Sequence, residues 1–307
     1  MARPSPQTDR VIALVEVLAA RPDDGFTLAE LTRRLRVNKS TCHSMLTALA
    51  GAGWLLRDPY RKTYRLGPAL AAVGRAAASG FPALDIAHAA MVEVGLEAAA
   101  HCAALGIGGD HLTVLDEVRD LHATGAGFRV GTALPVRPPF GTALVAWSDD
   151  ATVEAWLAHV PGDRRARYRA ALDATRARGF AVELSTTPEA RLREAVAKLR
   201  DGDPAAAVSI PSLLDDLARD LVARDDVLPV ELDASRDYTV SAINAPVLER
   251  DGRVALVLSL TGFARTMTGG RVAAIGRRLT EATDALSGAL AGAAERAGSL
   301  AERAAAP

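Results

Sequence analysis

Residues 38–66 read NKSTCHSMLTALAGAGWLLRDPYRKTYRL, and no other stretch restricts the fold as much. Asn38 is a natural N-cap, and Cys42, Met45, Leu46 and Leu49 follow at i, i+3, i+4 and i+7, so one helix face is buried. The same spacing turns Lys39, Ser40, Thr41, His43, Ser44 and Thr47 onto other faces. Gly51-Ala52-Gly53 ends the helix, Trp54 to Arg57 reads as a strand, Asp58 to Lys62 as a turn and Thr63 to Leu66 as the returning strand. A helix with a polar face therefore runs into a basic hairpin.

Upstream, Val11, Leu14, Val15 and Leu18 recur at helical spacing until Arg21-Pro22-Asp23-Asp24-Gly25 breaks the pattern. Thr27-Leu28-Ala29-Glu30 is a capping box opening a short helix with the apolar stripe Leu28, Leu31 and Leu35. Three helices and a hairpin over residues 8–67 predict a winged helix-turn-helix. In such a domain the third helix enters the major groove of double-stranded DNA and the wing meets the backbone. Lys39, Ser40, Thr41, His43 and Ser44 are the candidate base contacts; Thr27, Arg57, Arg61, Lys62, Tyr64 and Arg65 are the candidate phosphate contacts. Charge agrees, with 11 Lys and Arg against 6 Asp and Glu up to residue 67 and 25 against 31 beyond it. A winged domain that binds protein through a solvated basic face would share this pattern, and salt dependence separates the two.

At 307 residues the chain has room for a second core. Residues 68–82, from Gly67-Pro68 to Gly80-Phe81-Pro82, suit a linker helix, and residues 83–290 an α+β body. Helices are expected over Leu84–Ala99, Thr142–Trp147, Ala151–His159 and Arg164–Arg178. Strands are expected over Cys102–Gly106, Leu112–Val118, Gly179–Glu183, Tyr238–Val247 and Arg253–Leu260, in a central antiparallel sheet. A last helix from about Gly270 leads into an Ala-rich tail, residues 291–307, expected to fray. With two cysteines, no secretory leader and no apolar run near the roughly 20 residues of a membrane span, the expected setting is reducing and cytoplasmic, with no membrane partner.

With these pieces in place the chain resembles the IclR family of bacterial transcription regulators. The helix-three and wing segment is similar to the family's P-K-S-T-x-x-R-[LI]-L-x-x-L-x-x-x-G-[YL]-[LV]-x-x-D…Y-x-L-G. VGTALPVRPPFGTALVAW resembles the segment ending A-x-G-[KR]-A-[LF]-L-A, and SAINAPVLERDGRVALVLSLTGF resembles I-A-A-P-V-x-[DN]-x-x-G-x-x-x-[AG]-[AL]-[LI]-S-[VI]-[SA]-G. RGFAVE gives further support. The resemblance implies a C-terminal GAF-like effector-binding domain, homodimers or dimers of dimers, and operator binding controlled by a small-molecule effector such as a carboxylate or aromatic catabolite, most often in a repressor. Carried over by motif, the effector pocket falls on Pro139, Phe140, Gly141, Thr142, Asp237, Ser259 and Thr261. Three departures stand out: Ser44 replaces the family's Arg, Thr142 replaces Lys or Arg behind Pro138-Pro139-Phe140, and about fifty residues, 184–237, replace a short connection.

The residues themselves add that Ser259 and Thr261 share one side of a strand and that Gly141-Thr142 opens a helix whose amides suit a carboxylate. Local satisfaction of the two hydroxyls by backbone is the competing reading. His101, Cys102, Asp110 and His111 lack metal-ligand spacing, and His101 and Cys102 point to opposite faces of their strand, so no metal or cofactor is expected. No nucleophile elbow or paired-carboxylate motif suggests an enzyme. The alternatives are a regulator with a degenerate or rebuilt pocket, and a GAF-like ligand-binding or catalytic protein whose winged domain binds protein.

Overall fold

The computed structural model describes residues 5–185 apart from 20, 22, 79, 125, 126 and 129, then 218, 219, 221, 222 and 227–305. They form two compact units that part between Gly80 and Phe81. The first runs α1 (Pro6–Ala19), β1 (Phe26–Thr27), α2 (Leu28–Leu35), α3 (Lys39–Gly51), β2 (Leu55–Arg57), β3 (Thr63–Leu66) and α4 (Pro68–Ala78). The capping box forms in full: the Glu30 amide donates to Thr27 Oγ1 at 3.3 Å and the Thr27 amide to Glu30 Oε2 at 2.7 Å. Arg36, in the left-handed region at φ 52°, ends α2, and Asn38 Oδ1 accepts the Thr41 amide at 2.7 Å to begin α3. Two caps around a two-residue turn set α2 against α3, and Leu14, Leu18, Leu31, Cys42 and Leu46 close the core between the helices.

The hairpin expected after α3 is a three-stranded sheet of order β1-β3-β2, because Phe26 and Thr27 pair with Tyr64 and Thr63. Two residues are too few to show a strand period. This third strand corrects the assignment of Tyr64 as a phosphate contact. Alternation along β3 sends Arg65 outward and Tyr64 inward, where it is 7% exposed among Phe26, Leu55 and Met45.

The second unit runs α5 (Pro82–Ala98), β4 (His101–Gly108), β5 (His111–Val118), β6 (Ala133–Pro135), α6 (Thr142–Val145), α7 (Asp150–Leu157), a 3-10 turn (Gly162–Arg164), α8 (Arg165–Arg178), β7 (Ala181–Leu184), β8 (Asp237–Tyr238), β9 (Val240–Leu248), β10 (Val254–Thr261), β11 (Met267–Thr268) and α9 (Gly269–Ala305). Six strands form one antiparallel sheet, β6-β5-β4-β10-β9-β7. One face, carrying Cys102, Ala104, Ile243, Ala245, Leu258 and Leu260, packs on Ala87, Met91 and Val94 of α5 and Val272, Ile275 and Leu279 of α9. Burial first, and Asp116 second, push the Cys102 thiol up to about 12, so this cysteine is a protonated core group without thiolate chemistry.

Two expectations change. The strand expected from Tyr238 to Val247 divides at Thr239: Asp237 and Tyr238 pair with Thr268 and Met267 in a separate ribbon. The tail expected to fray continues α9 to Ala305, in keeping with the high helix propensity of Ala, Glu and Arg. Most of 184–237 lies outside the described residues; within the rest, the Leu184 amide donates to Val227 O at 2.8 Å, and Val222, Val227 and Leu228 pack with Val145, Trp156, Leu157 and Tyr168.

Candidate functional site

Two polar surfaces separate, one on each unit. On the first, α3 presents Lys39, Ser40, His43 and Ser44 to solvent while Cys42 and Met45 face the core, with Thr41 half-buried beside them. The hydroxyl hydrogens of Ser40 and Ser44 are already committed, to Asn38 Oδ1 at 2.8 Å and to Ser40 O at 3.0 Å. Lys39 and His43 are the long donors left projecting from this face. Thr27 sits half-buried with its hydroxyl donated to Glu30 Oε2 at 2.8 Å, so its hydrogen serves the cap. On the wing, Arg57, Arg61, Lys62 and Arg65 are exposed.

The wing tip is built by Asp58, whose Oδ1 accepts the amides of Tyr60 at 2.8 Å and Arg61 at 3.0 Å. Those amides, Arg61's first, hold the carboxyl below its usual range, and the charges of Arg61 and Arg65 add to the effect. The closed turn holds Tyr60 out, 94% exposed. Tyr60 was missed in the sequence because Asp-Pro-Tyr-Arg-Lys serves there as punctuation; an aromatic at the apex of a basic turn was the available signal.

In the second unit, paired positions of neighbouring strands put two rows of side chains on the sheet face turned away from α5 and α9. One row is Glu117, Ala103, Ser259, Asn244 and Ala181; the next is His101, Thr261, Ala242 and Glu183. Polar groups are interspersed with alanines across five strands. Ser259 is 2% exposed and Thr261 half-buried. The Asn244 amide donates to Glu183 Oε1 at 3.0 Å; burial pushes the Glu183 carboxyl up to about 8, against that hydrogen bond.

The segment from Pro138 to Thr142 reaches the same face, since Ala143 of α6 packs with Ala103, Ala181 and Val257. The Pro138-Pro139 bond is cis, and Gly141 has φ +79° where a Cβ would lie 3.1 Å from Val136 Cγ1. Thr142 Oγ1 donates to Pro139 O at 2.6 Å and Trp156 Nε1 to Phe140 O at 2.9 Å. The helix expected to offer its amides to a carboxylate is one turn long, and Thr142 is buried with its hydroxyl spent locally. Pro139, Phe140, Gly141, Thr142, Ser259 and Thr261 are thus gathered on one side of the sheet. Asp237 stands apart: it is exposed on the β8–β11 ribbon, and its neighbour Tyr238 turns into the opposite core. Sequence reasoning missed Glu117, Asn244 and Glu183 and set His101 aside, because only strand register unites them.

The chain is a winged helix-turn-helix followed by an α+β unit with a polar-faced antiparallel sheet. Residues 7–59 match the model of the IclR helix-turn-helix domain. Solved structures are similar over more than nine-tenths of the chain: an IclR transcriptional regulator from Alicyclobacillus acidocaldarius (TM-score 0.60, 20% identity, 94% of this chain and 100% of that one), HmgR of Pseudomonas aeruginosa (0.60, 22%, 92% and 95%) and an IclR homolog from Microbacterium hydrocarbonoxydans complexed with 4-hydroxybenzoate (0.58, 18%, 92% and 99%). No curated protein matches the chain. Residues 7–59 are thus similar to the IclR helix-turn-helix domain, and the chain has the fold seen in structures of IclR transcriptional regulators. No described helix is long and apolar enough to cross a membrane.

Proposed function

We propose that this protein is a cytoplasmic transcription regulator, acting as a homodimer, whose grip on operator DNA is set by a small molecule held on the polar face of the second unit. The carrying observation is α3 itself: a capped helix with Lys39 and His43 exposed on one face and a basic wing beside it. Lys39 and His43 read base edges, and Arg57, Arg61, Lys62, Arg65 and Tyr60 meet the backbone, which supplies affinity without sequence information. The Microbacterium structure holds its small aromatic acid within the same fold, which supports placing an effector in this one. Binding there acts as a switch by favouring one dimer arrangement over another, and only differential affinity for the two can shift them. Repression is the reading adopted.

The test is an anisotropy titration of the full-length protein on the DNA upstream of its own gene and on a scrambled duplex, at two salt concentrations. Selective, salt-sensitive binding is expected, and Lys39→Ala with His43→Ala should reduce the preference for the operator by about 30-fold or more, each base contact being worth roughly 1–3 kcal/mol. Equal, weak binding to both duplexes removes the regulator reading and favours a winged domain that binds protein.

A further inference from the structure

At one end of the polar face two buried side chains each keep one hydrogen-bonding atom without a partner. His101, 5% exposed, accepts the Asp120 amide at Nδ1, 3.3 Å away. A ring nitrogen that accepts leaves the hydrogen on Nε2, and His101 Nε2 is buried with nothing to donate to. The Glu117 side chain, 6% exposed, binds Arg119 Nε through Oε2 at 2.6 Å, while its Oε1 is buried with nothing to accept. The two residues are diagonal neighbours on β4 and β5, since Glu117 pairs with Ala103. Gly127, at φ +62°, spans both. A Cβ there would lie 2.1 Å from Glu117 Oε1 and 3.3 Å from His101 Cδ2, so any other residue would collide with the carboxylate.

An orphaned donor beside an orphaned acceptor is costly in a folded protein, and most buried polar groups avoid it. One chemical group satisfies both at once: a hydroxyl oxygen accepts from Nε2–H while its hydrogen goes to Oε1. A carboxylate does not, because it would set a second anion against Glu117 with no hydrogen to offer. We infer that His101 and Glu117 are specificity-determining residues that read a hydroxyl of the effector, and that the effector presents an uncharged alcohol or phenol at this end of the face. The inference rests on the reading of this face as the effector site and specifies which chemistry it takes. The rest of the row agrees. Thr261 lies directly across from His101, Ala242 comes next, and Glu183 beyond it adds a second acid to the face.

The test is calorimetric titration of the full-length protein with two matched pairs of probes, phenol with benzoate and cyclohexanol with cyclohexanecarboxylate, together with the melting midpoint of the ligand-free protein. The hydroxyl member of each pair is expected to bind at least ten-fold more tightly than its carboxylate. Glu117→Leu and His101→Leu should each cost ten-fold or more in that binding, yet melt no lower than the parent, because each removes an unsatisfied atom. Glu117→Gln, which keeps the volume, should weaken binding several-fold by replacing a charge-assisted bond with a neutral one. Carboxylates binding as tightly as the hydroxyl compounds would overturn the hydroxyl assignment and leave the effector site standing. Silence from both pairs would overturn the site along with it. Variants that bind the hydroxyl probes like the parent but melt several degrees lower would make the pair a water-bridged structural element.

Discussion

The two polar surfaces of this molecule obey opposite rules. On α3 and the wing, each polar group either faces water or is satisfied by its own turn, as Ser40 is by Asn38 and Asp58 by the amides of Tyr60 and Arg61. On the sheet, the polar groups are buried or half-buried, and two of them have an atom with no partner. The first surface is almost free of cost in the unbound protein, because water already solvates Lys39 and Arg61. The second is held against a standing penalty and is maintained by strand pairing on both sides. A DNA interface can thus be recognised by what projects from it, and a buried binding face by what it leaves unpaired.

The sharpest way to break this contrast is to exchange the two tyrosines of the wing. Tyr64 belongs to the core and Tyr60 to the surface, although only three residues lie between them. Tyr64→Ala should destabilise the first unit by roughly 3 kcal/mol, as large aromatic truncations in cores do. Tyr60→Ala should leave stability within about 0.5 kcal/mol of the parent, as surface changes do, and weaken DNA binding alone. Thermal unfolding and anisotropy on the same samples read both effects. A Tyr60 variant that unfolds early, or a Tyr64 variant that melts like the parent, would erase the distinction between core and contact face.

The buried side is sharpened by pH. Glu183 titrates at about 8 when folded against an ordinary value of 4.5, because burial disfavours its charged form more than the Asn244 amide favours it. A folded-state value above the unfolded one means that this group's stabilising contribution is complete below pH 4.5 and is lost as pH rises through 8. Glu183→Gln, a neutral mimic of the protonated acid, should therefore match the parent near pH 5 and exceed it by on the order of 2–3 kcal/mol at pH 8.5. Denaturant unfolding at the two pH values checks this, and parallel curves for parent and variant would mean the carboxyl is solvated.

Legibility in the sequence divides along the same line. The winged domain could be read because its determinants are local: the Thr27–Glu30 box, the Asn38 cap and the spacing of Cys42, Met45 and Leu46 all lie within a few residues of what they control. Where locality failed, the reading failed too, as with Tyr64, whose burial depends on pairing with Phe26. Strand alternation did separate His101 from Cys102, and Cys102 is in the core. What His101 meets could not be read, because Glu117, Ser259, Asn244 and Glu183 come from four other strands whose register is set by non-local pairing. The carried-over pocket positions fared unevenly for the same reason. Those on β10 and before α6 reach one face, while Asp237 lies on a ribbon that no periodicity announces.

The smallest effect concerns what the exposed side contributes to DNA. If Arg61 and Lys62 are backbone contacts, each neutralises one phosphate, and removing one should lower the magnitude of the salt slope of log K by about 0.9. Arg61→Ala and Lys62→Ala should weaken binding to operator and scrambled duplex by the same factor, since phosphate contacts carry no sequence information. Lys39→Ala should instead act mainly on the operator. Anisotropy titrations across four salt concentrations separate the two outcomes. A wing variant that lost operator preference while keeping its salt slope would turn the wing into a reader of bases, and α3 would lose its sole claim to specificity.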